Sequence, residues 1–364
     1  MKIVINKEIL VDSLQKILGP TTTKQNFPIL SAVFVSCDSE TLKLTTTDLD
    51  TTIISSQKAN IVEPGDIVVP MKRLFSIIRE LPSEEITIET TKTNLMIRCG
   101  KIEFKIPTLK KEEFPQIQEK KTTTLIQINP QDLEEMIRLT SFCVGYEDVN
   151  YVLSGILFEV VEDKIKLIST DGKRLAFMQK TLPTNQPEIK TPLSFILPLR
   201  AVSELYKLIK DKEEGYLFTD ENKVGFDLGN IRFIARPIEG EFPTYSQYIP
   251  NEGKNKLSIE RKNLLFALRR ANVLSTSDYQ GVKLGLKKNT LTIEKQTPQL
   301  GEIREELDID YNGASMDIGF NPNYLIDVLK SIEDEKVCFD FFGADKPAVL
   351  RKEDYIYLVL PLKI

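Results

Sequence analysis

Apolar residues along this chain follow two different spacings. In three places, a short run with apolar residues at alternate positions is followed at once by apolar residues three or four positions apart. Alternation is typical of a strand with one buried face, and the longer spacing is typical of an amphipathic helix. The three strand–helix segments are IVINKEILVDSLQKIL (3–18), LIQINPQDLEEMIRLTSF (125–142) and LSIERKNLLFALRRANVL (257–274).

A second helical pattern follows each of these segments. Proline stands at or near the first helical position of each copy, where its missing N–H would be unpaired in any case. The three copies are IVVPMKRLFSIIRELP (67–82), FILPLRAVSELYKLIK (195–210) and IGFNPNYLIDVLKSIE (318–333).

The segments between the helices alternate polar with β-branched and other apolar residues, which predicts strands. Each copy of about 120 residues, an ordinary domain size, therefore has the order β-α-β-β-β twice. We predict an α+β fold whose helices cover one face of antiparallel sheets. The predicted domains are residues 1–121, 122–249 and 250–364. Since the linkers are short, we expect a regular array, which closes into a ring or keeps growing.

The composition changes the functional picture mainly through one absence. None of the 364 residues is a histidine, which excludes Ser-His-Asp triads, histidine general bases and histidine-ligated metals. The sequence also contains no Walker loop, no Gly-x-Ser-x-Gly and no His-Glu-x-x-His. These absences disfavour catalysis, although carboxylate pairs or lysine can act without histidine, and we predict no metal and no cofactor.

The cysteines and the N-terminal segment indicate a compartment. Cys37, Cys99, Cys143 and Cys338 lie far apart, which argues against a zinc site and predicts buried free thiols. The opening MKIVINKEIL has no signal-peptide pattern, and no apolar stretch approaches the roughly 18 residues of a membrane span. These features predict a cytoplasmic protein without a membrane partner.

Charge is distributed unevenly over a chain whose net charge is −5. The six predicted helices carry 14 Lys and Arg against 10 Asp and Glu, a net charge of +4, which leaves −9 for the rest of the chain. A dedicated nucleic-acid binder is usually basic overall. Nucleic acid is therefore a plausible partner only if all the helices face one cavity; otherwise these cations are solvated side chains.

Several separated motifs, in one order along the whole chain, resemble the bacterial DNA polymerase III β subunit family, the sliding clamps. They are GPTTTKQNFPILS, TTTDLD, STDGKRLA, GEFPTY, GFNPNYLIDVL and the terminal YLVLPLKI. The resemblance implies a head-to-tail homodimer, a closed ring whose helices line the hole and whose sheets lie outside. Such a ring encircles double-stranded DNA without sequence preference and tethers the replicative polymerase. It is a nucleoid-associated processivity factor and makes or breaks no bond itself.

The family pattern also implies which residues contact DNA and which close the ring. The DNA-facing residues would be Lys24, Arg73, Arg79, Tyr151, Arg200 and Lys207. For the dimer, the basic strand KIEFKI (101–106) would pair with the acidic strand GEIREEL (301–307), although each could instead be a self-protecting charged edge. The apolar contacts of this interface would be Phe104, Ile106, Val273 and Leu274.

The resemblance further implies an apolar pocket between the second and third domains for a short peptide of partner proteins. These partners are the polymerase catalytic subunit, the clamp loader, other polymerases and repair factors. The terminal LVLPLKI would turn three apolar side chains outward to form a wall. The pocket residues would be Leu153, Thr170, Gly172, Arg174, Leu175, Pro243, Tyr248, Asn321, Tyr324, Pro347, Leu358, Leu360, Pro361 and Leu362. Lys173, Gln247 and Tyr248 depart from the residues of many relatives, which affects the peptide preference.

Two hypotheses from other classes remain open at this point. One is a repeat scaffold that binds proteins only, and the other is a histidine-free enzyme that uses carboxylates or lysine. The retention of the protein on circular and on linear DNA separates a topological clamp from a scaffold, since a clamp leaves linear DNA through its ends.

Overall fold

The computed structural model describes residues 1–21, 27–82, 85–91, 93–117, 125–145, 151–184, 192–220, 222–253 and 255–363. Within these ranges the chain forms six α-helices and 26 strands. The helices are α1 (Lys7–Lys16), α2 (Met71–Glu80), α3 (Pro130–Thr140), α4 (Leu199–Ile209), α5 (Arg261–Asn272) and α6 (Pro322–Ser331). Each lies within one of the six segments for which the apolar spacing predicts a helix.

Asparagine side chains fix the starts of three helices. Asn6 accepts a hydrogen bond from the backbone N–H of Glu8, and Asn321 accepts one from the N–H of Asn323. At α3, Asn129 accepts from the N–H groups of Gln131 and Asp132. These bonds satisfy backbone donors that have no partner inside the helix.

The strands follow the predicted order in each repeat, with two additions, β5 and β22. The first repeat contains β1 (Lys2–Asn6), β2 (Ala32–Cys37), β3 (Thr41–Thr47), β4 (Thr51–Lys58), β5 (Asn60–Glu63), β6 (Gly65–Pro70), β7 (Glu85–Thr90), β8 (Asn94–Cys99) and β9 (Ile102–Pro107). The second contains β10 (Leu125–Ile128), β11 (Gly155–Val161), β12 (Lys164–Thr170), β13 (Arg174–Thr181), β14 (Leu193–Pro198), β15 (Gly215–Asp220), β16 (Lys223–Asp227) and β17 (Ile231–Ala235). The third contains β18 (Asn255–Glu260), β19 (Val282–Lys287), β20 (Thr290–Thr297), β21 (Gly301–Asp308), β22 (Asp310–Tyr311), β23 (Met316–Phe320), β24 (Lys336–Phe341), β25 (Ala348–Arg351) and β26 (Tyr355–Val359).

Each repeat supplies two half-sheets of four antiparallel strands. In the first, second and third repeats, one half-sheet has the orders β6-β2-β3-β4, β14-β11-β12-β13 and β23-β19-β20-β21. The others have the orders β1-β7-β8-β9, β10-β15-β16-β17 and β18-β24-β25-β26. The duplicated β-α-β-β-β unit predicted from the sequence is therefore present in all three repeats.

Half-sheets of consecutive repeats join edge to edge. Strand β4 of the first repeat pairs with β17 of the second, and β13 of the second repeat pairs with β26 of the third. These pairings make one sheet of eight strands and one of nine. The remaining half-sheets belong to a five-stranded sheet that ends at β9 and a four-stranded sheet that ends at β21.

Contacts divide the chain into two compact units. The first is built mainly from Met1–Leu133 and Ser203–Pro237, and it contains the five-stranded and eight-stranded sheets. The second is built mainly from Glu134–Thr184 and Ile238–Ile364, and it contains the nine-stranded and four-stranded sheets. In both units the helices bury leucine and isoleucine against the sheets, which removes apolar surface from water.

The prediction of four buried thiols is correct for three cysteines and wrong for Cys338, which is exposed. Cys338 lies between Val337 and Phe339 on β24, and both of these neighbours are buried. Successive side chains of a strand point to opposite faces, so burial of these two neighbours turns the thiol outward.

Candidate functional site

The hairpin turn between β12 and β13 is held by its own side chains. Thr170 Oγ1 accepts from the N–H of Gly172 at 3.0 Å and donates to the carbonyl of Arg174 at 2.6 Å. Asp171 Oδ1 accepts from the N–H groups of Lys173 at 2.9 Å and Arg174 at 3.0 Å. Gly172 has a φ of +81°, a left-handed conformation that glycine adopts without strain. The polar residues of STDGKRLA thus build a rigid turn.

Arg174 connects this turn to helix α6. Its side chain is only 8% exposed and donates to Asp171 Oδ2 at 2.9 Å and to Asp327 Oδ2 at 2.7 Å. The guanidinium also lies 4.5 Å from the centre of the Tyr324 ring, within the range of a cation–π contact. Burial alone would lower the pKa of Arg174, but the hydrogen bond to Asp327 opposes this effect and the pKa is raised overall. The arginine therefore remains charged, with two carboxylates beside it.

The sequence analysis missed both carboxylate partners of Arg174. Asp171 is the aspartate of the STDGKRLA motif itself, so its place in the turn was a usable signal. Asp327 is 153 residues away along the chain, and no local pattern connects it to the turn.

The C-terminal segment forms an apolar wall beside the turn. Strand β26 pairs with β13 and places Leu358 opposite Leu175. Beyond the strand, the N–H of Leu360 donates to the carbonyl of Lys173 at 2.9 Å, and the N–H of Leu362 donates to Gly319 at 2.8 Å. These bonds fix the end of the chain against the hairpin turn and β23.

One part of the predicted wall differs in the structure. Leu358 does not point outward: it is 4% exposed and belongs to the buried cluster that contains Leu175 and Val349. The alternation of β26 explains this, because Leu358 is on the sheet face that packs on that cluster. Leu360 is exposed, and Leu362 is half-buried.

The remaining predicted pocket residues lie in the same compact unit. Leu153 packs against the buried cluster of Leu175, and Asn321 caps α6 while it donates to Gln280 at 3.2 Å. Tyr248 ends a short 3₁₀ turn and is exposed. Pro243, Pro347 and Pro361 are half-buried. All fourteen predicted pocket residues thus belong to the second unit, and the contacts described above connect seven of them directly.

The predicted DNA-facing residues that the structure describes are all exposed. Arg73 and Arg79 lie on α2, and Arg200 and Lys207 lie on α4. Tyr151 opens a 3₁₀ turn and is exposed. Lys24 lies outside the described residues.

A cation recurs near the end of the helices, and only Arg79 and Lys207 of this set are among the predicted DNA-facing residues. At equivalent positions of five of the six described helices the residue is basic: Arg79, Arg138, Lys207, Arg269 and Lys330. The sixth position, in α1, is Gln15. Cations there interact favourably with the helix dipole. Alignment of the three repeats was the signal that could have revealed them.

The predicted interface residues occupy open edges. Strand β9 ends the five-stranded sheet, and β21 ends the four-stranded sheet. Phe104 on β9 is 38% exposed, and Val273 just after α5 is strongly exposed, while Leu274 is half-buried. Ile106 is a correction: it is 1% exposed and packs inside its own unit, because it lies opposite the buried Leu95 of β8, on the core-facing side of the sheet. Ile102, also on β9, is exposed.

The described ranges also bear on metal binding and on membrane insertion. Those ranges contain no group of three or more Cys, Asp or Glu side chains placed to hold a metal ion. None of the helices described above is long and apolar enough to cross a membrane.

Three tandem domains of paired antiparallel half-sheets, each with two helices, define the class of DNA clamp folds. Family models of the DNA polymerase III beta subunit match the chain with an N-terminal domain over residues 1–118, a central domain over 127–244 and a C-terminal domain over 246–362. The chain belongs to the DNA polymerase III beta subunit family. This family is a non-catalytic processivity subunit of DNA polymerase III.

Relatives and solved structures agree over the full length. The chain is 30% identical over 370 aligned positions to the beta sliding clamp of Pseudomonas putida, with 100% of both chains covered. It is 29% identical to the beta sliding clamp of Escherichia coli K12, again with 100% of both covered. Among solved structures, the Pseudomonas aeruginosa sliding clamp bound to griselimycin has a TM-score of 0.94 at 30% identity, with 100% of both chains covered. The Bacillus subtilis sliding clamp has a TM-score of 0.94 at 28% identity, covering 100% of this chain and 99% of that one.

Proposed function

We propose that two copies of this chain join head to tail into a ring that encircles duplex DNA, slides on it and tethers the replicative polymerase. The ring acts in the cytoplasm, associated with the nucleoid. Its three domains per chain comprise residues 1–121, 122–249 and 250–364.

The pairing rule between repeats is the observation that carries this proposal. Within the chain, β4 of the first repeat pairs with β17 of the second, and β13 of the second repeat pairs with β26 of the third. In each pair, the strand that ends one half-sheet meets the strand that ends a half-sheet of the next repeat. The equivalent strand of the third repeat is β21, and the equivalent of β17 and β26 in the first repeat is β9. Both are edges in the described chain. By the same rule, β21 of one copy pairs with β9 of another.

Charge favours this third pairing. Strand β9 and the turn before it expose Lys101, Glu103 and Lys105, a net charge of +1, whereas β21 exposes Glu302, Arg304, Glu306 and Asp308, a net charge of −2. Opposite charges on adjacent strands stabilise a register, and like charges disfavour the pairing of each edge with itself. The joined sheet would have nine strands, the same number as the largest sheet within the chain.

DNA contacts are proposed for the exposed helix cations and for Tyr151. Arg73, Arg79, Arg200 and Lys207 would attract phosphate groups without reading bases, so that binding is independent of sequence and weakened by salt. Lys24 is proposed for the same role on the basis of the family pattern. Retention on DNA then depends on the closed ring rather than on affinity.

The hairpin turn of Arg174 and the C-terminal wall are proposed to receive a short peptide of partner proteins. Such a peptide would place apolar side chains against Leu153, Leu360 and Leu362, which are not fully buried. Partners using this pocket would be the polymerase catalytic subunit, the clamp loader, other polymerases and repair factors. Burial of a few apolar side chains at about 25 cal/mol per Å², offset by ordering of the peptide, gives weak binding that allows exchange.

The test is retention on DNA of defined topology. The protein is loaded with a clamp loader onto nicked circular DNA, separated from free protein by gel filtration, and followed before and after the circle is cut once. A topological ring stays on the circle in high salt and leaves after linearisation. If the protein remains on the linear DNA, or never stays on the circle, the proposed ring is wrong.

A further inference from the structure

A lysine occupies a core-facing position of strand β20. Alternate side chains of a strand point to one face of the sheet, and on β20 this face carries Leu291, Ile293, Lys295 and Thr297. All four are buried, and Lys295 is only 4% exposed. Lysine is rarely buried to this extent, because removal of its charge from water costs free energy. Its ammonium group therefore needs partners inside the fold.

The partners of this ammonium group are two backbone carbonyls of one loop. Lys295 Nζ donates to the carbonyl of Tyr279 at 2.9 Å and to that of Gly281 at 2.7 Å. Burial lowers the pKa of Lys295, and no carboxylate of the described ranges opposes this effect. Hydrogen bonds from a charged donor are stronger than those between neutral groups. The side chain of Lys295 thus fastens the loop between α5 and β19 to the sheet.

The next residue on the same face of β20 binds the beginning of this loop. Thr297 Oγ1 donates to the carbonyl of Leu274 at 2.6 Å. Within the loop, the N–H of Thr276 donates to the carbonyl of Tyr279 at 3.3 Å, and the N–H of Tyr279 donates to Thr276 Oγ1 at 3.2 Å. Residues 274–281, which we call the β20-bound loop, are therefore held at both ends by side chains of one strand.

The β20-bound loop meets the proposed peptide pocket in two places. Asn321 Nδ2 donates to Gln280 Oε1 at 3.2 Å, and Gln280 lies between the two residues whose carbonyls bind Lys295. A Cβ at Gly281 would lie 3.9 Å from Leu362 Cδ1, so the loop backbone runs beside this leucine. Asn321 and Leu362 are both predicted pocket residues. Consecutive contacts thus lead from the buried ammonium group to the wall of the pocket.

We propose that Lys295 is a positioning residue of the peptide pocket. Its ammonium group fixes the β20-bound loop, so that Gln280 stays bound to Asn321 and the loop backbone stays beside Leu362. Without these bonds the loop would take other positions, and only the molecules with the loop in place would bind a peptide. Lys295 acts through the loop rather than by contact with the peptide. This inference rests on the peptide pocket proposed above.

A role in stability alone is the competing explanation for Lys295. Methionine has a similar length and would fill the same space without the cost of a buried charge. If the ammonium group served only the core, Lys295→Met would change stability and leave the affinity of the folded protein for a peptide unchanged. If it positions the loop, the affinity falls in a protein that is still folded.

The first experiment measures peptide affinity of the full-length protein by fluorescence anisotropy. The probe is the fluorescein-labelled peptide Gly-Gln-Ser-Leu-Phe-Gly, whose leucine and phenylalanine supply apolar side chains for the pocket. We expect Lys295→Met to weaken binding at least about fivefold, because fewer molecules hold the loop in place. The control Lys287→Met makes the same change at an exposed position of β19, and its affinity should stay within about twofold. Thermal unfolding of both variants shows that they are folded.

A second measurement follows the loop without any peptide. In Lys295→Met, the backbone N–H groups of residues 276–281 should exchange with deuterium at least about fivefold faster, while those of α5 and β19 keep their rates. Unchanged exchange in this segment would mean that Lys295 does not hold the loop, and the proposal would be wrong.

A double-variant cycle tests whether Lys295 acts through Gln280. Gln280→Ala removes the bond to Asn321 at an exposed side chain, and it should weaken binding about as much as Lys295→Met does. Because both changes act on one contact, the double variant should bind within about twofold of either single variant. Losses that multiply in the double variant would show independent effects and would overturn the proposal.

The remaining outcomes separate this inference from the pocket itself. If the unchanged protein binds the peptide and Lys295→Met binds it equally well, Lys295 does not position the pocket. If the unchanged protein does not bind the peptide, the proposed pocket is wrong and the inference that rests on it is wrong as well. Should Lys295→Met fail to fold, Gln280→Ala still decides the question, since full affinity in that variant contradicts the proposed path.

Discussion

At the scale of single residues, Arg174 has the strongest set of contacts in the proposed peptide pocket. Its guanidinium is buried and forms ion pairs with Asp171 on its own turn and with Asp327 on α6. Removing one partner of a buried ion pair is costly, because the other charge stays buried with less compensation.

Replacement of Asp327 should therefore lower the free energy of unfolding of the protein. We expect Asp327→Asn to lower the free energy of unfolding by about 1–3 kcal/mol, since Asp171 still pairs with the arginine. The measurement is chemical denaturation at neutral pH. The matched control is Asp345→Asn, at an exposed carboxylate whose nearest ammonium, that of Lys346, is 4.0 Å away; it should change stability by less than about 0.5 kcal/mol. Equal effects of the two substitutions would contradict this account of Arg174.

A second prediction concerns the equivalent turn of the first repeat. Leu49 has a φ of +81°, the value of Gly172 in the second repeat, and its side chain is 55% exposed. The same bonds hold both turns: Thr47 Oγ1 accepts from the N–H of Leu49 at 3.1 Å, and Asp48 Oδ1 accepts from that of Thr51 at 2.6 Å. The turn therefore imposes a left-handed backbone on a residue that resists it.

Leu49→Gly should raise the free energy of unfolding by about 0.5–1 kcal/mol. Relief of left-handed strain of about 1–2 kcal/mol exceeds the added freedom of glycine in the unfolded chain, about 0.4–1 kcal/mol. The reciprocal change, Gly172→Ala, should lower the free energy of unfolding by about 1 kcal/mol. No atom lies within 4 Å of the added Cβ, so the left-handed backbone strain is the effect that remains in the folded state. Denaturant unfolding of both variants measures the two signs, and effects of the same sign would refute the explanation.

These two turns also mark what the sequence could predict about residues. The identity of the turn residues was predictable from TTTDLD and STDGKRLA, because threonine, aspartate and glycine have known turn chemistry. The ion pair to Asp327 was not, since it depends on packing of α6 on the hairpin, which no local pattern encodes.

At the scale of elements, the apolar spacing predicted the six helices closely, whereas strand edges needed the structure. The helices have amphipathic patterns that repeat three times. The edge-to-edge pairings, such as β4 with β17, join segments about 180 residues apart, so only the folded sheet reveals them. The same limit explains Ile106, because only the folded sheet places it opposite the buried Leu95.

The open edge of β9 leads to a prediction about assembly. Phe104→Asp places a negative charge on the edge proposed to face the acidic β21, so the dimer should weaken at least about tenfold in dissociation constant. The free chain should stay folded, because Phe104 lies on an unpaired edge. Light scattering over a dilution series measures the mass, for which the monomer is 41.5 kDa.

The control for this experiment uses the opposite edge of the same sheet. Val62 on β5 is exposed on the other side of the five-stranded sheet, and Val62→Asp adds the same charge there. Its dissociation constant should equal that of the unchanged protein. If Val62→Asp weakens the dimer as much as Phe104→Asp does, the pairing of β9 with β21 is not the interface.

At the scale of the whole molecule, the charge of the chain and its proposed topology make separate contributions to DNA binding. An acidic chain with basic helices can attract phosphate weakly along the helices while its other surfaces repel DNA. A closed ring then supplies retention that salt does not weaken, because no contact has to hold the DNA. Affinity and retention should therefore respond differently to the loss of helix cations.

The double variant Arg79→Ser with Lys207→Ser tests this separation. Each phosphate contact contributes about 0.9 to the slope of log affinity against log salt, so binding to a short linear duplex should weaken and its slope should become shallower. The lifetime of the loaded ring on nicked circles should stay within about twofold of that of the unchanged protein. Lys164→Ser with Lys223→Ser removes two exposed lysines from strands, and this control should alter neither quantity. A lifetime on circles that falls in proportion to the duplex affinity would mean that contacts, rather than ring closure, hold this protein on DNA.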